Sequence, residues 1–311
     1  MKETREQTTG VITAVAAYLV WGFLPLYFVA IGPRVSLWEV VSHRAIWAAV
    51  LLFIFTLVTG RLDRLVAVFR NPLRLAALAA SASVIVLNWT VFIWAVTHNH
   101  VLESSLGYYI SPLVSVLMGF LFLQERLRPL QILAVAIAAF GVLTMAVGAG
   151  QVPWVALTLA AAFGTYGLIR KQVLVDSGTG LLVETLLLMP LALLMLVWLY
   201  LHHQAAFLLV SHRLDLMLIG AGAVTICPLV LFGTAARRLR LGTLGLIMYI
   251  APTTQLITGI LLLGEPFTHA EKITFSYIWV GLAIFSIDSL LAQRKFSRQY
   301  PEIAQGDLAG D

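Results

Sequence analysis

The sequence predicts an all-α polytopic membrane protein, with ten transmembrane helices arranged as two inverted five-helix repeats and both termini cytoplasmic. Three observations lead to this fold class. The chain is apolar enough to lie mostly in lipid, one segment of its first half recurs in its second half, and its basic residues concentrate in every other connection.

The composition restricts the class of protein. The 311 residues are 60% hydrophobic and 11% charged, with a mean hydropathy of +0.93. A chain this apolar cannot form an ordinary water-solvated domain, so the lipid bilayer is its predicted partner. The formal charge of +5 sits in short connections between apolar runs, so it indicates topology, and no nucleic-acid partner is predicted. The single cysteine, Cys227, excludes an internal disulfide.

An internal repeat relates the two halves. The segment 109–125, YISPLVSVLMGFLFLQE, returns 140 residues later as YIAPTTQLITGILLLGE. A proline inside an apolar run, a glycine seven residues on and a closing carboxylate recur together, which chance rarely produces. The same register places Gly141 on Gly281. The matched pairs are Tyr109/Tyr249, Ile110/Ile250, Pro112/Pro252, Gly119/Gly259, Leu121/Leu261, Leu123/Leu263 and Glu125/Glu265.

Ten apolar runs approach the roughly 20 residues that a spanning helix needs. They are Thr9–Ile31, Leu37–Val58, Leu73–Val96, Val101–Leu123, Pro129–Val147, Val152–Ile169, Gly180–Leu201, Leu214–Thr234, Leu241–Leu263 and Ile273–Leu291. The first run is too long for the apolar part of a signal peptide and contains Trp21 and Pro25. It is therefore predicted to be an uncleaved helix.

Basic residues alternate between rich and poor connections. One side holds sixteen: Lys2, Arg5, Arg61, Arg64, Arg70, Arg74, Arg126, Arg128, Arg170, Lys171, Arg237, Arg238, Arg240, Arg294, Lys295 and Arg298. The other side holds Arg34, Arg213 and Lys272, and Arg44 falls inside a run. Since basic loops stay in the cytoplasm, both termini are predicted to be cytoplasmic.

Five spans per half reverse the orientation of the second half, so the repeat is predicted to be inverted. Such repeats place a substrate site near the middle of the membrane, where the halves meet. The predicted divisions are a first five-helix repeat at 9–147, a second at 152–292, and a disordered cytoplasmic tail at 293–311 that lacks apolar periodicity.

Two symmetry-related prolines are candidate pathway residues. Pro112 lies about halfway through the fourth run, and Pro252 holds the same place in the ninth. Each frees a backbone carbonyl one turn earlier, and freed backbone polarity at that depth is tolerated beside protein or a water-filled cavity. The kinks either line a pathway or serve packing alone.

The second run carries a polar cluster. Arg44 lies about two turns into the membrane, where an ionisable group costs roughly 3 kcal/mol or more, so we expect it to face a cavity or a partner. Glu39 and His43 share a helix face with each other. With Glu184 of the seventh run they are candidates for proton coupling. Equally, Glu39 could complement the helix dipole and His43 could be a satisfied packing group.

The remaining pathway candidates are uncharged. Asn88 lies near mid-membrane and could bind a polar group of the substrate, although bridging two helices is the commoner use. Several aromatic residues lie too deep to be interfacial anchors and would suit a flat, moderately apolar substrate, or else form core. These are Trp21, Trp89, Tyr108, Tyr166 and Tyr249.

No HExxH, GxSxG, Walker or dinucleotide motif occurs in the sequence. The histidines at 98, 100, 202, 203 and 212 fall in predicted outer connections without cysteine or carboxylate partners at ligand spacing. We therefore predict neither an enzyme nor a cofactor nor a metal site.

The ten runs, the two inverted halves, and the proline-bearing fourth and ninth runs closed by carboxylates resemble the EamA family of the drug/metabolite transporter superfamily. The resemblance covers nearly the whole chain. WGFLPLYF at Trp21–Phe28, and the pair His43–Arg44 followed by Trp47, look like its RarD-type subgroup of chloramphenicol-sensitive proteins. The resemblance implies a secondary carrier of the bacterial inner membrane and carries over no residue-level substrate motif.

The sequence thus favours a secondary transporter, a permease or exporter of a small metabolite or drug-like molecule, that works by alternating access around a mid-membrane site. A membrane receptor or scaffold that binds a ligand without moving it is the alternative. A channel is less favoured, because the central region has no rings of like charge or carbonyl-filter signature. A homodimer is possible, because Ala134, Ala138 and Gly141 suit close packing within the chain or between copies.

Overall fold

The computed structural model describes residues 2–149, 152–239 and 241–299, and nearly all of these are helical. The α-helices are α1 (Lys2–Ile31), α2 (Leu37–Val58), α3 (Leu62–Phe69), α4 (Pro72–Thr97), α5 (Val101–Leu123), α6 (Pro129–Ala149), α7 (Trp154–Gln172), α8 (Ser177–Leu201), α9 (His212–Ala236), α10 (Leu241–Ile247), α11 (Ile250–Ile257) and α12 (His269–Gln299). A π-helical turn, Thr258–Leu262, follows α11.

The predicted apolar runs all become helix. α2 and α5 have the bounds that the sequence predicts, while the other helices extend or shift by a few residues at polar ends. The additional helix α3 lies in the basic connection after α2, and it buries Leu65 and Val68 while its arginine Arg64 stays exposed. Large apolar side chains such as Leu194 and Leu261 are exposed on the outside of the bundle, which is typical of a lipid-facing surface.

Nine helical segments among the described residues are long and apolar enough to cross a membrane. The sixth predicted run, now α7, is not among them. Its nineteen residues are rich in alanine, glycine and threonine and end with Arg170 and Lys171, which lowers its hydropathy. A tenth span therefore stays a prediction.

The ninth predicted run is a candidate span, and it is interrupted one turn before the proline at which the sequence predicts a kink. α10 ends at Ile247, Met248 and Tyr249 form a turn, and α11 starts at Ile250. The proline at Pro252 lacks an N–H group, and its ring displaces the carbonyl one turn earlier, at Met248. The equivalent Pro112 leaves α5 unbroken.

The helices pack as if the two halves were interchangeable. Under that exchange α1 corresponds to α7, α2 to α8, α4 to α9, α5 to α10 with α11, and α6 to α12. The most extensive contacts join α6 to α12, α5 to α7 and α2 to α8. α1 packs on α9 and α11, as α7 packs on α4 and α5. The packing supports the predicted repeats, and their inverted orientation in a membrane stays a prediction.

Small residues allow α6 and α12 to approach closely within one chain. A Cβ atom on Gly281 would lie 2.9 Å from the Ala134 carbonyl oxygen, and one on Gly141 would lie 2.8 Å from the Tyr277 Cβ. The Thr274 hydroxyl donates to the Gly141 carbonyl at 3.1 Å. The small-residue stripe therefore serves this intramolecular contact, and a homodimer stays a prediction.

The last helix is longer than expected. α12 continues through Gln299, past residue 293, where the predicted disordered tail begins. The rest of that predicted tail, residues 300–311, lies outside the described residues.

Candidate functional site

Arg44 is the central feature of the site. It lies on α2 with only 5% of its surface exposed. Its guanidinium carbon is 4.4 Å from the centroid of the Trp89 ring and 5.5 Å from that of Phe28. Its Nε and Nη1 atoms are buried and have no hydrogen-bond partner, and Arg44 forms no salt bridge with any described residue. A buried cation is thus held against aromatic faces with two N–H donor positions free.

Tyr108 and Asn88 form the polar side of the same cluster. The Tyr108 hydroxyl donates to Asn88 Oδ1 at 3.2 Å, and Tyr108 is close enough to Arg44 to interact with it electrostatically. Asn88 Nδ2 donates to the Leu159 carbonyl at 3.4 Å. Asn88 therefore bridges α4, α5 and α7, so the cluster built by the first half reaches a helix of the second half.

Aromatic rings surround this cluster. Phe28 packs edge-on against Phe92 at 6.1 Å between centroids, and Phe92 packs in the same manner against Tyr108 at 5.8 Å. The Tyr108 ring in turn meets Phe163 of α7 at 6.1 Å. α1, α2, α4, α5 and α7 each contribute to this mid-bundle site, which we call the Arg44 site.

Glu39 lies in the first turn of α2, before Arg44, and its carboxylate has backbone partners. The carboxylate is fully buried, and it accepts hydrogen bonds from the backbone N–H groups of Ala206 and Phe207, each at 2.9 Å. These bonds fasten the connection between α8 and α9 to the start of α2. A role for Glu39 in proton coupling stays a prediction.

His43 lies between the Arg44 site and that connection. The indole N–H of Trp47 donates to His43 Nδ1 at 3.1 Å, and the His43 ring lies 4.4 Å from the Phe207 ring. Since Nδ1 accepts a hydrogen bond, a neutral ring carries its proton on Nε2. That atom is buried and has no hydrogen-bond partner.

Glu184 forms a second buried polar network, on α8. Its carboxylate accepts hydrogen bonds from the Ser81 hydroxyl at 2.5 Å and from the Tyr166 hydroxyl at 3.2 Å. The Arg170 guanidinium lies 3.7 Å away. The predicted residues Glu184 and Tyr166 are thus brought together, but their hydrogen-bonding groups face one another and not the Arg44 guanidinium.

Trp21 and the proline region of α11 lie elsewhere in the bundle. Trp21 packs against Tyr18 at 5.4 Å between centroids, and its carbonyl accepts from Gln255 Nε2 at 3.3 Å. The Pro252 carbonyl accepts from the Ser105 hydroxyl at 2.7 Å, which ties α11 to α5. These contacts place both residues in helix interfaces.

Tyr249 meets its repeat partner Tyr109, and Pro112 lies on α5 one turn after Tyr108. Tyr249 stacks on its repeat partner Tyr109, with ring centroids 6.2 Å apart and planes 20° apart. Pro112 is partly buried within the continuous helix α5. The symmetry-related positions thus meet at the α5–α11 interface, and their part in a pathway stays a prediction.

Two equivalent carboxylates close the repeats in different ways. Glu265 accepts from the backbone N–H groups of Val101 at 2.7 Å and Leu102 at 2.8 Å, which begin α5. Burial raises the pKa of the Glu265 carboxyl above its ordinary value, and those two hydrogen bonds oppose the rise. Glu125, by contrast, is half exposed and pairs with Lys171 at 2.5 Å. The two repeat-related carboxylates therefore have different described partners.

The structure thus unites Arg44, Asn88, Trp89 and Tyr108 in one site. It also adds residues that sequence reasoning missed. Phe28, at the end of the aromatic segment after Trp21, faces Arg44, and Ser81 and Arg170 complete the Glu184 network. A basic residue at a helix end and a serine within a helix carry no local signal for such contacts, because both partners lie far away in the chain.

Two surface grooves lie away from this site. One, of about 380 Å³, runs along the start of α12 beside Lys272 and Tyr277. The other, of about 450 Å³, lies beside Phe120 and Arg126. Neither is lined by a residue of the Arg44 site.

The nine candidate spans and the apolar outer surface define a multi-pass membrane protein. Comparison with known proteins narrows the class. The sequence profile of the EamA-like transporter family matches residues 8–147. A solved crystal structure that is 20% identical has the same fold, with a TM-score of 0.57 over 88% of this chain and 96% of that one.

The matches to named relatives cover almost the whole length of both chains. An uncharacterized transporter of Vibrio cholerae is 44% identical over 93% of this chain and 96% of its own. Protein RarD of Escherichia coli is 41% identical over 96% and 99%, and the chloramphenicol-sensitive protein RarD of Pseudomonas aeruginosa is 34% identical over 93% and 97%. The chain belongs to the EamA family of drug/metabolite transporters and, within it, to the RarD-type proteins. It is a membrane transporter of the bacterial inner membrane.

Proposed function

We propose that this protein is a secondary transporter that exports a small metabolite or drug-like molecule by alternating access, with its site between the two halves. The observation that carries the proposal is the interchangeable packing. The main helix contacts join one half to the other, and each has its counterpart when the halves are exchanged. A bundle built in this way has an equivalent rearrangement available toward either face, which a carrier requires.

The difference between Glu265 and Glu125 supports the same proposal. Glu265 fastens the start of α5 near one face, whereas Glu125 pairs with the surface residue Lys171 near the other. In a carrier, a contact that closes one face of the membrane must be formed while the repeat-related contact at the other face is broken. Such a difference between equivalent ends is expected when the halves occupy one of two alternating arrangements.

Counterflow in liposomes tests the proposal. We expect purified protein to accelerate the exchange of a labelled compound against the same unlabelled compound trapped inside. Three compounds that share one ring and differ in charge are tested separately: para-hydroxyphenylacetate is an anion, its amide is neutral, and tyramine is a cation. Protein-free liposomes are the control. Binding of a compound in detergent without any exchange across the bilayer would instead identify a receptor or scaffold.

Proton coupling through Glu39, His43 or Glu184 is the finer hypothesis. These groups are buried, and His43 Nε2 has no hydrogen-bond partner. We expect an imposed pH gradient to drive net uptake of the exchanged compound, and Glu184→Gln or Glu39→Gln to weaken that drive. Transport that ignores the gradient would remove the hypothesis and leave the carrier in place.

A further inference from the structure

Arg44 is a buried cation without a described anionic partner. Only 5% of the residue's surface is exposed, two of its guanidinium nitrogen atoms have no acceptor, and the guanidinium lies over the rings of Phe28 and Trp89. Two fully buried carboxylates of the described residues, by contrast, have partners. Glu184 has Ser81, Tyr166 and Arg170, and Glu39 has two backbone donors.

An unpaired buried charge is costly, whereas the same charge with a paired oxyanion gains charge-assisted hydrogen bonds. Aromatic faces reduce that cost by cation–π attraction but leave the N–H donors unused, because those donors lie in the plane of the guanidinium. The chemistry that would satisfy these donors is an acceptor with negative charge.

We propose that Arg44 anchors a small organic monoanion, a carboxylate with an aromatic or flat apolar body, in the site of the transport activity proposed above. The carboxylate meets the free guanidinium donors. The apolar body lies among Phe28, Trp89 and Phe92, and the Asn88–Tyr108 pair supplies polar contacts at its edge. None of these side chains carries a carboxylate that could receive an ammonium group, so the site favours a simple anion over a zwitterion.

Thermal unfolding of the purified full-length protein tests this assignment. The probes share one ring: para-hydroxyphenylacetate is the anion, its amide is neutral, and tyramine is the cation. A ligand bound only by the folded state raises the unfolding temperature, and the rise grows with the logarithm of the ligand concentration relative to its Kd. We expect millimolar para-hydroxyphenylacetate to raise the unfolding temperature, and the amide and tyramine to have little effect.

Variants assign the effect to Arg44. We expect Arg44→Gln to weaken binding of the carboxylate by about tenfold to a hundredfold, the range expected for a charged hydrogen bond. Arg44→Lys should keep a weaker preference for the anion, because it keeps the charge and loses the planar donors. Arg34→Gln, which removes a positive charge from an exposed connection, is the matched control and should respond as the wild type does.

A third variant separates a binding role from a structural one. Without ligand, Arg44→Met should unfold at the same temperature as the wild type or higher, because it removes an unpaired buried charge. A lower unfolding temperature would mean that Arg44 is held for its packing and would overturn the proposal. Equal responses to the carboxylate and its amide, no response to the carboxylate, or an unchanged response in Arg44→Gln would overturn it as well.

The outcomes for the substrate class and for transport are separable. If the anion binds at Arg44 but shows no counterflow, the site stands and the transport proposal fails. If the amide or tyramine is exchanged while the carboxylate neither binds nor moves, the carrier stands and the anion assignment fails.

Discussion

Glu39 in the first turn of α2 and Glu184 further along α8 are both fully buried, yet they have different partners. Glu39 accepts only backbone N–H groups and organises a connection. Glu184 accepts from two hydroxyl groups and lies beside Arg170. A buried carboxylate is retained only when such donors compensate for its lost hydration. Arg44 departs from that rule among the described residues, which is why it marks the site.

At the residue scale, Glu265→Gln tests the contact that fastens α5. The raised pKa means that the folded state binds this proton more tightly than the unfolded chain does. The advantage of the wild type over Glu265→Gln should therefore be largest below the ordinary pKa of 4.5 and decline as the pH rises through the higher folded-state pKa. His100 and Glu271 face this carboxyl and act in opposite directions on it.

The measurement is the unfolding temperature of both proteins between about pH 4 and pH 7. Glu125→Gln, at the equivalent position of the first repeat, controls for the removal of a carboxylate as such. A difference between wild type and Glu265→Gln that does not vary with pH would contradict the prediction.

At the element scale, the two proline-bearing segments follow different paths. α5 stays continuous through Pro112, and its first N–H groups are held by Glu265. The second segment breaks at Met248 and Tyr249 and later widens into the π-helical turn Thr258–Leu262. Each segment contains a proline and lacks one backbone hydrogen bond, but only the second segment is interrupted. The local sequence alone therefore does not determine where a helix breaks. The surrounding contacts decide whether the helix bends there.

The close approach of α9 and α2 gives a prediction at the same scale. A Cβ atom on Gly222 would lie 2.5 Å from the backbone carbonyl carbon of Trp47 and 2.7 Å from the backbone nitrogen of Ala48. Backbone atoms cannot turn aside, so the helices would have to separate. We expect Gly222→Ala to lower the free energy of unfolding by about 1–3 kcal/mol, as overpacking typically does.

Gly233 on the same helix is the matched control, because a Cβ atom there would meet nothing within 4 Å. Gly233→Ala should leave stability unchanged or raise it slightly, since alanine favours helix more than glycine does. Denaturant titration in mixed micelles measures both variants. Equal losses in both would mean that the α2–α9 contact does not discriminate between these sites.

At the scale of the whole molecule, the orientation is predicted from the uneven distribution of basic residues, sixteen on one predicted side and three on the other. In a background of Cys227→Ser, single cysteines at Arg64 and His202, both exposed, report the two predicted sides. We expect an impermeant maleimide to label His202→Cys in cells with an intact inner membrane. It should label Arg64→Cys only after that membrane is disrupted.

Labelling of both cysteines in disrupted membranes is the control for accessibility. The reversed pattern would place the termini outside. Labelling of both cysteines in intact cells would mean that an even number of spans lies between positions 64 and 202, where an odd number is predicted. The count of ten spans and the inverted arrangement would then both fail.

The sequence by itself determined that this chain lies in a membrane, that its halves repeat, and that Arg44 is an unusual charge. These properties depend on the hydrophobic composition of the chain, on its internal repeat and on the position of Arg44 within one apolar run. All three can be read from the sequence without knowing which helices are in contact. The position of Asn88 and Trp89 near mid-membrane stays a prediction made for the same reason.

Only the tertiary structure decided the partners. Glu39 meets the connection at Ala206, Glu184 meets Ser81, and Arg44 meets rings but no described carboxylate. Spacing along the sequence could not predict these pairs, because the partners lie on different segments of the chain. The number of residues between two helices does not determine which of their faces come into contact. Whether a buried charge is satisfied is a property of the packed bundle, and that property separates a structural carboxylate such as Glu39 from Arg44, two of whose nitrogen atoms have no described acceptor.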